Sequence, residues 1–282
     1  MISAIVVTYH TGPILSASLQ ALLDAEACAE LILVDNGNHP TVLADLRDWA
    51  GREPRLQIVS GHGNIGFARG CNLGAQHATQ PVLAFVNPDC VVRPQTLLLM
   101  ARQTREAPMI LAGGCIRDTQ GREQRGGRRG EMTLWAALVS FAGLARPGVE
   151  AGVWRDVNRN REPLPVTAIE MPVVSGALMV TQAAAFQRIG GFDPGFFLHV
   201  EDIDLCKRYW RAGGKVVFVP EAQAEHVGGT SQVASWRVEI AKIHSFLRYF
   251  WKYARSPVGH LAVIFAAPLL ILGFFVRFAL KK

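Results

Sequence analysis

Strand-like and helix-like segments alternate along the first ninety residues, and this alternation constrains the fold more than any other feature. "SAIVVTY" reads as a β-strand, "ILSASLQALLDA" repeats its apolar positions at helical spacing, and "ELILVDN" is a second strand ending in a carboxylate. Together they form a βαβ unit. "LQIVS", a helix within "GFARGCNLGAQHA", and "PVLAFVNPDC" repeat the order. The pattern predicts an α/β fold: a Rossmann-like, mainly parallel sheet with helices on both faces. Ligands in such folds gather at the carboxyl ends of the strands. Three polar clusters fall there: Thr8-Tyr9, Asp35-Asn36 and Asn87-Pro88-Asp89.

With 282 residues, half of them hydrophobic, the chain can bury the core of one large domain or of two fused halves. The net charge of +6 suits an anionic partner, whether nucleic acid, a nucleotide diphosphate or a phospholipid surface. Five cysteines without a C-x-x-C pair argue against a disulfide framework or a structural zinc site and for a reducing compartment. The N-terminus has no basic region ahead of its apolar run, so it reads as a first strand and not as a signal peptide. A cytosolic chain is expected.

Gly61 to Gly66, "GHGNIG", fits the G-x-G-x-x-G pattern behind a strand, and Asp89 stands 23 residues beyond Gly66, near the spacing of a ribose-binding acid. The dinucleotide fingerprint, however, normally occupies the first strand-to-helix turn, whereas this one follows a complete βαβ unit. Gly70 and Gly74 continue the glycine spacing. The segment reads as backbone brought close to a ligand and a helix packed tightly on the sheet, or simply as a glycine-rich turn.

Seven segments carry a resemblance: "IVVTYH", "LILVDNGN", "GNIGFARGCNLG", "FVNPDC", "VSGALMV", "GGFDPGFFLHVEDIDLCKRYWRAGG" and "EHVGGTS". Over about Ile2 to Ser231 they occur in the order found in family 2 glycosyltransferases of the GT-A fold, and the chain most resembles the bacterial rhamnosyltransferase-like members. His10 departs from the family, which usually has Asn there.

The resemblance implies transfer from a nucleotide sugar. Breaking the anomeric bond to a diphosphate leaves charge on the departing oxygens, and a divalent cation with carboxylate ligands would meet it. Asp89, at a strand end behind Pro88, suits Mg²⁺ or Mn²⁺, although it could instead be a turn or cap residue. The "NPD" triplet resembles the family's D-x-D motif with Asn87 replacing the first acid. His226 matches the position that can supply another ligand, or is a loop histidine. By the same resemblance Asp35 reads the base, and Thr8, Asn64 and Arg69 line the nucleotide pocket. Asp35 could also serve only the turn "DNGN". In Glu201-Asp202-Ile203-Asp204 the acids start a helix, where they would complement its dipole in any protein. The family pattern makes Asp202 the base that deprotonates an acceptor hydroxyl, with Glu201 orienting the site. A single base opposite the leaving group implies inversion.

Three regions follow: a nucleotide-sugar half (1–115), an acceptor-binding and catalytic half (116–230), and C-terminal membrane-associated helices (231–282). The loop "RDTQGREQRGGRRGE" has five arginines, read as a solvated hairpin or as a clamp for phosphates. It lacks interleaved aromatics, so nucleic acid is not expected as a partner. "TLWAALVSFAGLA" reads as an apolar helix. Near the C-terminus, "WRVEIAKIHSFLRYFWKYARS" mixes aromatics with Arg237, Lys242, Arg248, Lys252 and Arg255, as an interfacial helix on anionic lipid would; the alternative is a helix pair packed on the domain or on a second subunit. Leu261 to Val276 then gives sixteen uncharged residues, only about 24 Å of helix, and Pro268 favours a bent or re-entrant course.

The sequence thus predicts an inverting, metal-dependent transferase, with dTDP-rhamnose as donor and a lipid-linked or cell-surface glycan as acceptor. Its expected place is the cytoplasmic face of a bacterial inner membrane, peripheral or monotopic. The alternatives are a UDP-hexose donor, an NAD-dependent oxidoreductase and a non-catalytic carbohydrate- or membrane-binding module.

Overall fold

The computed structural model describes residues 1–141, 152–230 and 235–279. β1 (Ile2–Thr8), α1 (Ile14–Leu23), β2 (Cys28–Asp35), α2 (Pro40–Ala50), β3 (Leu56–Val59), α3 (Phe67–His77) and β4 (Val82–Val86) follow one another as the alternation predicts. Their sheet runs β3-β2-β1-β4, with every pairing parallel. The order reverses between β1 and β4, which opens a crevice beyond their carboxyl ends.

The chain continues through β5 (Cys90–Val92), α4 (Thr96–Gln103), β6 (Ile110–Arg117), β7 (Arg128–Arg129), α5 (Leu134–Phe141), β8 (Ile169–Glu170), β9 (Val173–Val174), β10 (Leu178–Gln182), α6 (Ala183–Arg188), α7 (Glu201–Arg211) and β11 (Lys215–His226). β10, β6, β11 and β5 extend the same sheet beyond β4, and β8 pairs with β11. β10 is antiparallel to both neighbours, and β5 and β8 are antiparallel to β11, so six of the nine strands share one direction. The sheet is mixed, yet mainly parallel. It runs through both halves of the chain. β7 and β9 form a separate antiparallel ribbon.

Alternate residues of each central strand enter different cores, as the period of two requires. Ala4, Val6, Leu31, Leu33, Ala84 and Val86 pack with α1, α2 and α4, whereas Ile5, Val7, Ile32, Val34, Leu83 and Phe85 face α3 and α7. α3 lies very close to β1. A Cβ on Gly70 would stand 2.7 Å from Val7, and one on Gly74 2.5 Å from Ile5.

α8 (Ser235–Tyr253) and α9 (Pro257–Ala279) follow. Ser245, Phe246, Tyr249 and Phe250 of α8 are buried, Arg248 pairs with Asp193, and Lys252 bridges Asp193 (2.7 Å) and Asp204 (2.5 Å). The expectation that these two cations face lipid is therefore corrected: Asp193 and Asp204 supply their counter-charges. α9 also differs from its sequence reading. It has 23 residues, about 34 Å at 1.5 Å per residue, and continues as one helix through Pro268. The helix starts at Pro257, a favourable first-turn residue, so the uncharged run understates its length. Among the described residues α9 is the one helix long and apolar enough to cross a membrane (Pro257–Phe275, mean hydropathy 2.3). One side, Val263, Ala266, Leu270 and Phe274, is buried, and the helix contacts α5 and α8. Leu261, Ile264, Phe265, Leu269, Leu272 and Phe275 are exposed. The end of "TLWAALVSFAGLA" and residues 231–234 lie outside the described residues.

Candidate active site

The first rim of the crevice forms where β1 and β2 end side by side, Thr8 opposite Asp35. Both are buried. Asp35 Oδ1 accepts from the backbone N–H of Gly37 (3.2 Å) and Asn38 (2.9 Å) and from Asn38 Nδ2 (2.7 Å), while Asn38 Nδ2 also reaches Thr8 Oγ1 (3.1 Å). The turn reading of Asp35 is therefore seen directly. One oxygen builds the "DNGN" turn, and among the described residues Oδ2 accepts no hydrogen bond.

The glycine segment crosses from this rim to the catalytic one. Asn36 Nδ2 donates to the Gly66 carbonyl (3.1 Å), and the Phe67 N–H donates to the Phe197 carbonyl (2.8 Å). Gly66 has φ +84°, and a Cβ there would lie 2.6 Å from that carbonyl. Close approach, not pyrophosphate binding, thus accounts for this glycine. Asn64 and Arg69 sit on the same segment but have structural partners: Asn64 Oδ1 accepts from the Gly66 N–H (3.0 Å), and Arg69 Nε donates to the Pro194 carbonyl (3.1 Å).

Beyond β4, the "NPD" turn meets the end of β11. Asp89 Oδ1 lies 3.1 Å from His226 Nε2, Asp89 Oδ2 accepts from Thr230 Oγ1 (2.9 Å), and Asn87 Nδ2 lies 3.3 Å from the same His226 nitrogen. Burial alone would raise the Asp89 carboxyl. The hydrogen bond and charge of His226, with the Thr230 hydroxyl, outweigh it and hold Asp89 below the usual carboxylate range. Gln124 grips His226 from behind, its Oε1 2.6 Å from Nδ1 and its Nε2 3.3 Å from the His226 carbonyl. With a cation in place of the proton that Nε2 shares with Asp89, an Nδ1–H donated to Gln124 would fix the ring and present the Nε2 lone pair to the ion. Cis ligands of an octahedral ion with bonds of about 2.1 Å stand about 3 Å apart, so the Asp89–His226 separation fits one edge of a Mg²⁺ or Mn²⁺ site. No third His, Cys, Asp or Glu joins them among the described residues. Remaining positions would fall to diphosphate oxygens and water.

The third rim is the start of α7. His199 and Val200 adopt positive φ (66° and 71°), a strained entry to a helix for residues with side chains. The turn drives Glu201 and Asp202 inward, and both are buried. Asp202 Oδ2 accepts from the Gly176 N–H (3.0 Å) and from Arg129 Nη2, and Oδ1 accepts from the Ile203 N–H (2.8 Å). Burial would raise Asp202, but the Arg129 guanidinium and these amides hold it below the ordinary range. Glu201 is pushed up to about 8 by burial and by the Asp202 charge, and its Oε2 has no hydrogen-bond partner among the described residues. Burial lowers His199 to about 4.

One dipeptide, Gly176-Ala177, joins the second and third rims. The Gly176 N–H donates to Asp202, and the Ala177 carbonyl accepts from the Asn87 N–H (2.9 Å). A Cβ on Gly176 would lie 3.0 Å from Asp202 Cβ, so a larger residue there would press on that side chain. Sequence reasoning gave no role to Gly176, Arg129 or Gln124. "VSGALMV" pointed to the neighbourhood of Gly176, but nothing in "RGGRRG" separates Arg129 from Arg128.

The arginine loop is not a free phosphate clamp. Arg117 donates to Gln223 and Gly121, Arg122 pairs with Asp118, Arg125 with Asp156, Arg128 with Glu123, and Arg129 with Asp202. Asp204, the third acid of the cluster, is fully buried between Arg208 (2.7 Å), Lys252 and Tyr253 (2.8 Å) and ties α7 to α8.

Comparison with known proteins identifies the family and the fold. The family model "Glycosyl transferase family 2" matches residues 3–190, and "Glycosyl transferase family group 2" matches residues 157–280. An N-acetylglucosaminyl-diphospho-decaprenol L-rhamnosyltransferase of Mycobacterium tuberculosis is 28% identical over 242 residues, 80% of this chain and 76% of the relative. Rhamnosyltransferase WbbL of Escherichia coli is 24% identical over 238 residues, 80% and 83% of the two chains. Two solved structures share the fold. Mannosyltransferase PcManGT from Pyrobaculum calidifontis, in complex with GDP-Man and Mn²⁺, superposes with a TM-score of 0.63 at 16% identity over 99% of this chain and 74% of that one. GalNAc-T7 with UDP, GalNAc and Mn²⁺ gives 0.61 at 18% identity over 80% and 43%.

Proposed function

The chain belongs to glycosyl transferase family 2 and is a glycosyltransferase, and from that premise we propose that it inverts the anomeric centre of a nucleotide sugar while passing the sugar to a lipid-linked glycan. The observation that carries this reading is the Gly176-Ala177 dipeptide, which sets the Asp202 carboxylate on one side of a turn and the "NPD" segment on the other. Asp202 takes the proton of the acceptor hydroxyl as that oxygen attacks the anomeric carbon. The bond to the diphosphate breaks, and the nucleotide diphosphate leaves. Asp35 Oδ2 reads the base, with Thr8, Asn64, Arg69 and Asn87 lining the nucleotide side. Asp89 and His226 hold the divalent ion, Mg²⁺ or Mn²⁺, which when bound offsets charge on the departing phosphate oxygens. Glu201, kept neutral by burial, orients the site or the acceptor.

The rhamnosyltransferase relatives favour dTDP-rhamnose as donor over a UDP-hexose, and the diphospho-decaprenol named for one of them favours a polyprenyl diphosphate acceptor. Residues 1–115 would hold the nucleotide sugar, 116–230 the acceptor and catalytic groups, and 231–282 the attachment to the cytoplasmic face of the membrane. The exposed apolar side of α9 supports that attachment. Since its other side packs on the protein, the helix suits a monotopic position better than a free span. A thermal-shift panel of dTDP-rhamnose, UDP-hexoses, GDP-mannose and NAD, each with and without Mn²⁺, tests the reading. A ligand at 100 times its Kd stabilises by about 2.7 kcal/mol. The expected result is a Mn²⁺-dependent shift with a pyrimidine nucleotide sugar. A shift with NAD alone would overturn it.

A further inference from the structure

We propose that Arg129 is the positioning residue of the catalytic carboxylate: it leaves Asp202 a single free lone pair, on Oδ1, aimed at the acceptor hydroxyl. The inference rests on the reading of Asp202 as the base. A carboxylate offers about four lone-pair positions. On Oδ2 the Gly176 N–H and Arg129 Nη2 take both, and on Oδ1 the Ile203 N–H takes one. What remains is one acceptor site in one direction.

The ribbon explains why Arg129 can do this and Arg128 cannot. In the β7–β9 pairing Arg128 stands opposite Val174 and Arg129 opposite Val173, and neighbouring side chains of a strand point to opposite faces. Arg128 turns to Glu123, with Nε 2.7 Å from Oε1, and to the Glu162 carbonyl (2.6 Å). That anchors the ribbon. Arg129 turns the other way, and its Nη2 is fixed by the Val174 carbonyl (3.1 Å) as well as by Asp202. Each partner in this ion pair has 13% of its side chain exposed, so solvent screens it little.

The other titratable groups about Asp202 are Glu201, His199 and Cys206, with Lys242 of α8 acting on His199. Of the forces on Asp202, Arg129 gives the strongest opposition to burial. Without it, burial favours the protonated acid and only the Gly176 and Ile203 amides oppose it. The acid limb of the pH–rate profile must then move to higher pH.

The test is the pH dependence of kcat/KM for wild type, Arg129→Gln, Arg129→Lys and Asp202→Asn, together with nucleotide affinity and melting temperature. Arg129→Gln should move the acid limb up by at least one pH unit, so that activity at pH 6 falls at least tenfold while the loss at pH 8 is smaller. Nucleotide affinity should change less than twofold. Arg129→Lys, which keeps the charge and serves if the Gln variant does not fold, should restore the limb and lower kcat. A folded Arg129→Gln enzyme that loses activity equally at every pH, or an Arg129→Lys enzyme whose acid limb moves up although the charge is kept, would overturn the proposal. Full activity of Asp202→Asn would instead remove the base assignment itself, and the two failures are thereby distinguished.

Discussion

Asp89 Oδ1 and His226 Nε2 lie 3.1 Å apart, although 137 residues separate them in the chain. The antiparallel pairing of β5 with β11, which sets Cys90 opposite His226, creates the contact. Asp89→Asn and His226→Ala should each weaken Mn²⁺ binding at least tenfold by electron paramagnetic resonance titration, with the fold intact by circular dichroism. An Asp89→Asn protein that stays fully active in EDTA would exclude the metal site.

Asp202→Asn should bind nucleotide sugar as tightly as wild type and lose roughly two to four decades of kcat, the usual share of a general base. Stopped-flow or steady-state turnover at saturating donor measures it. If Glu201→Gln is the dead variant and Asp202→Asn turns over normally, the two roles are exchanged.

Glu201 gives a prediction about stability. Its folded-state pKa is raised to about 8, so its contribution is fully present below the unfolded value and is lost as pH rises through about 8. Across that window wild-type stability should fall with pH, by at most about 1.4 kcal/mol per unit from this one group. Glu201→Gln should flatten the slope and be more stable than wild type at pH 8. Urea melts at pH 5.5, 6.5, 7.5 and 8 read this directly, and parallel slopes for the two proteins would refute the assignment.

Lys252 joins α8 to two acids, Asp193 and Asp204. Lys252→Met should cost about 1–3 kcal/mol, because Asp204 is fully buried but keeps Arg208 and Tyr253. Lys252→Arg should recover part of that loss. Denaturant titration of the three proteins decides the point; an unchanged midpoint for Lys252→Met would mean that α8 is held by its aromatic face alone.

Phe265→Glu combined with Leu269→Glu places charge on the exposed side of α9, where the wild-type residues are 76% and 60% exposed. Membrane association should drop sharply in cell fractionation, with turnover on a short soluble acceptor unchanged. Attachment through α9 is apolar, so high salt should not release the wild-type protein. Release of wild type by salt alone would restore a charge-based mode.

The parts of the site that were legible in the sequence are those built at strand ends. Thr8, Asp35, Asn87 and Asp89 follow apolar runs whose period and length identify strands, and in a parallel sheet those ends share one edge. The acids of α7 were visible for a related reason, since three within four positions exceed what a helix start needs. Less was legible at the C-terminus. Arg248 and Lys252 looked like lipid-facing cations because their partners, Asp193 and Asp204, lie some fifty residues earlier, and amphipathic spacing is the same for a helix on lipid and one on protein.

By itself, then, the sequence determined the α/β alternation, the two-faced strands and the set of polar residues available at the crevice, because each depends on local periodicity and on turn chemistry between neighbours. Tertiary structure alone decided that β10 enters antiparallel beside β4, that the Gly176-Ala177 dipeptide therefore reaches both Asp202 and Asn87, and that Arg129 rather than Arg128 meets the Asp202 carboxylate. These are contacts between segments tens of residues apart. Their formation is governed by which buried charges find a partner once the sheet has closed, and that is a property of packing in three dimensions that no local pattern encodes.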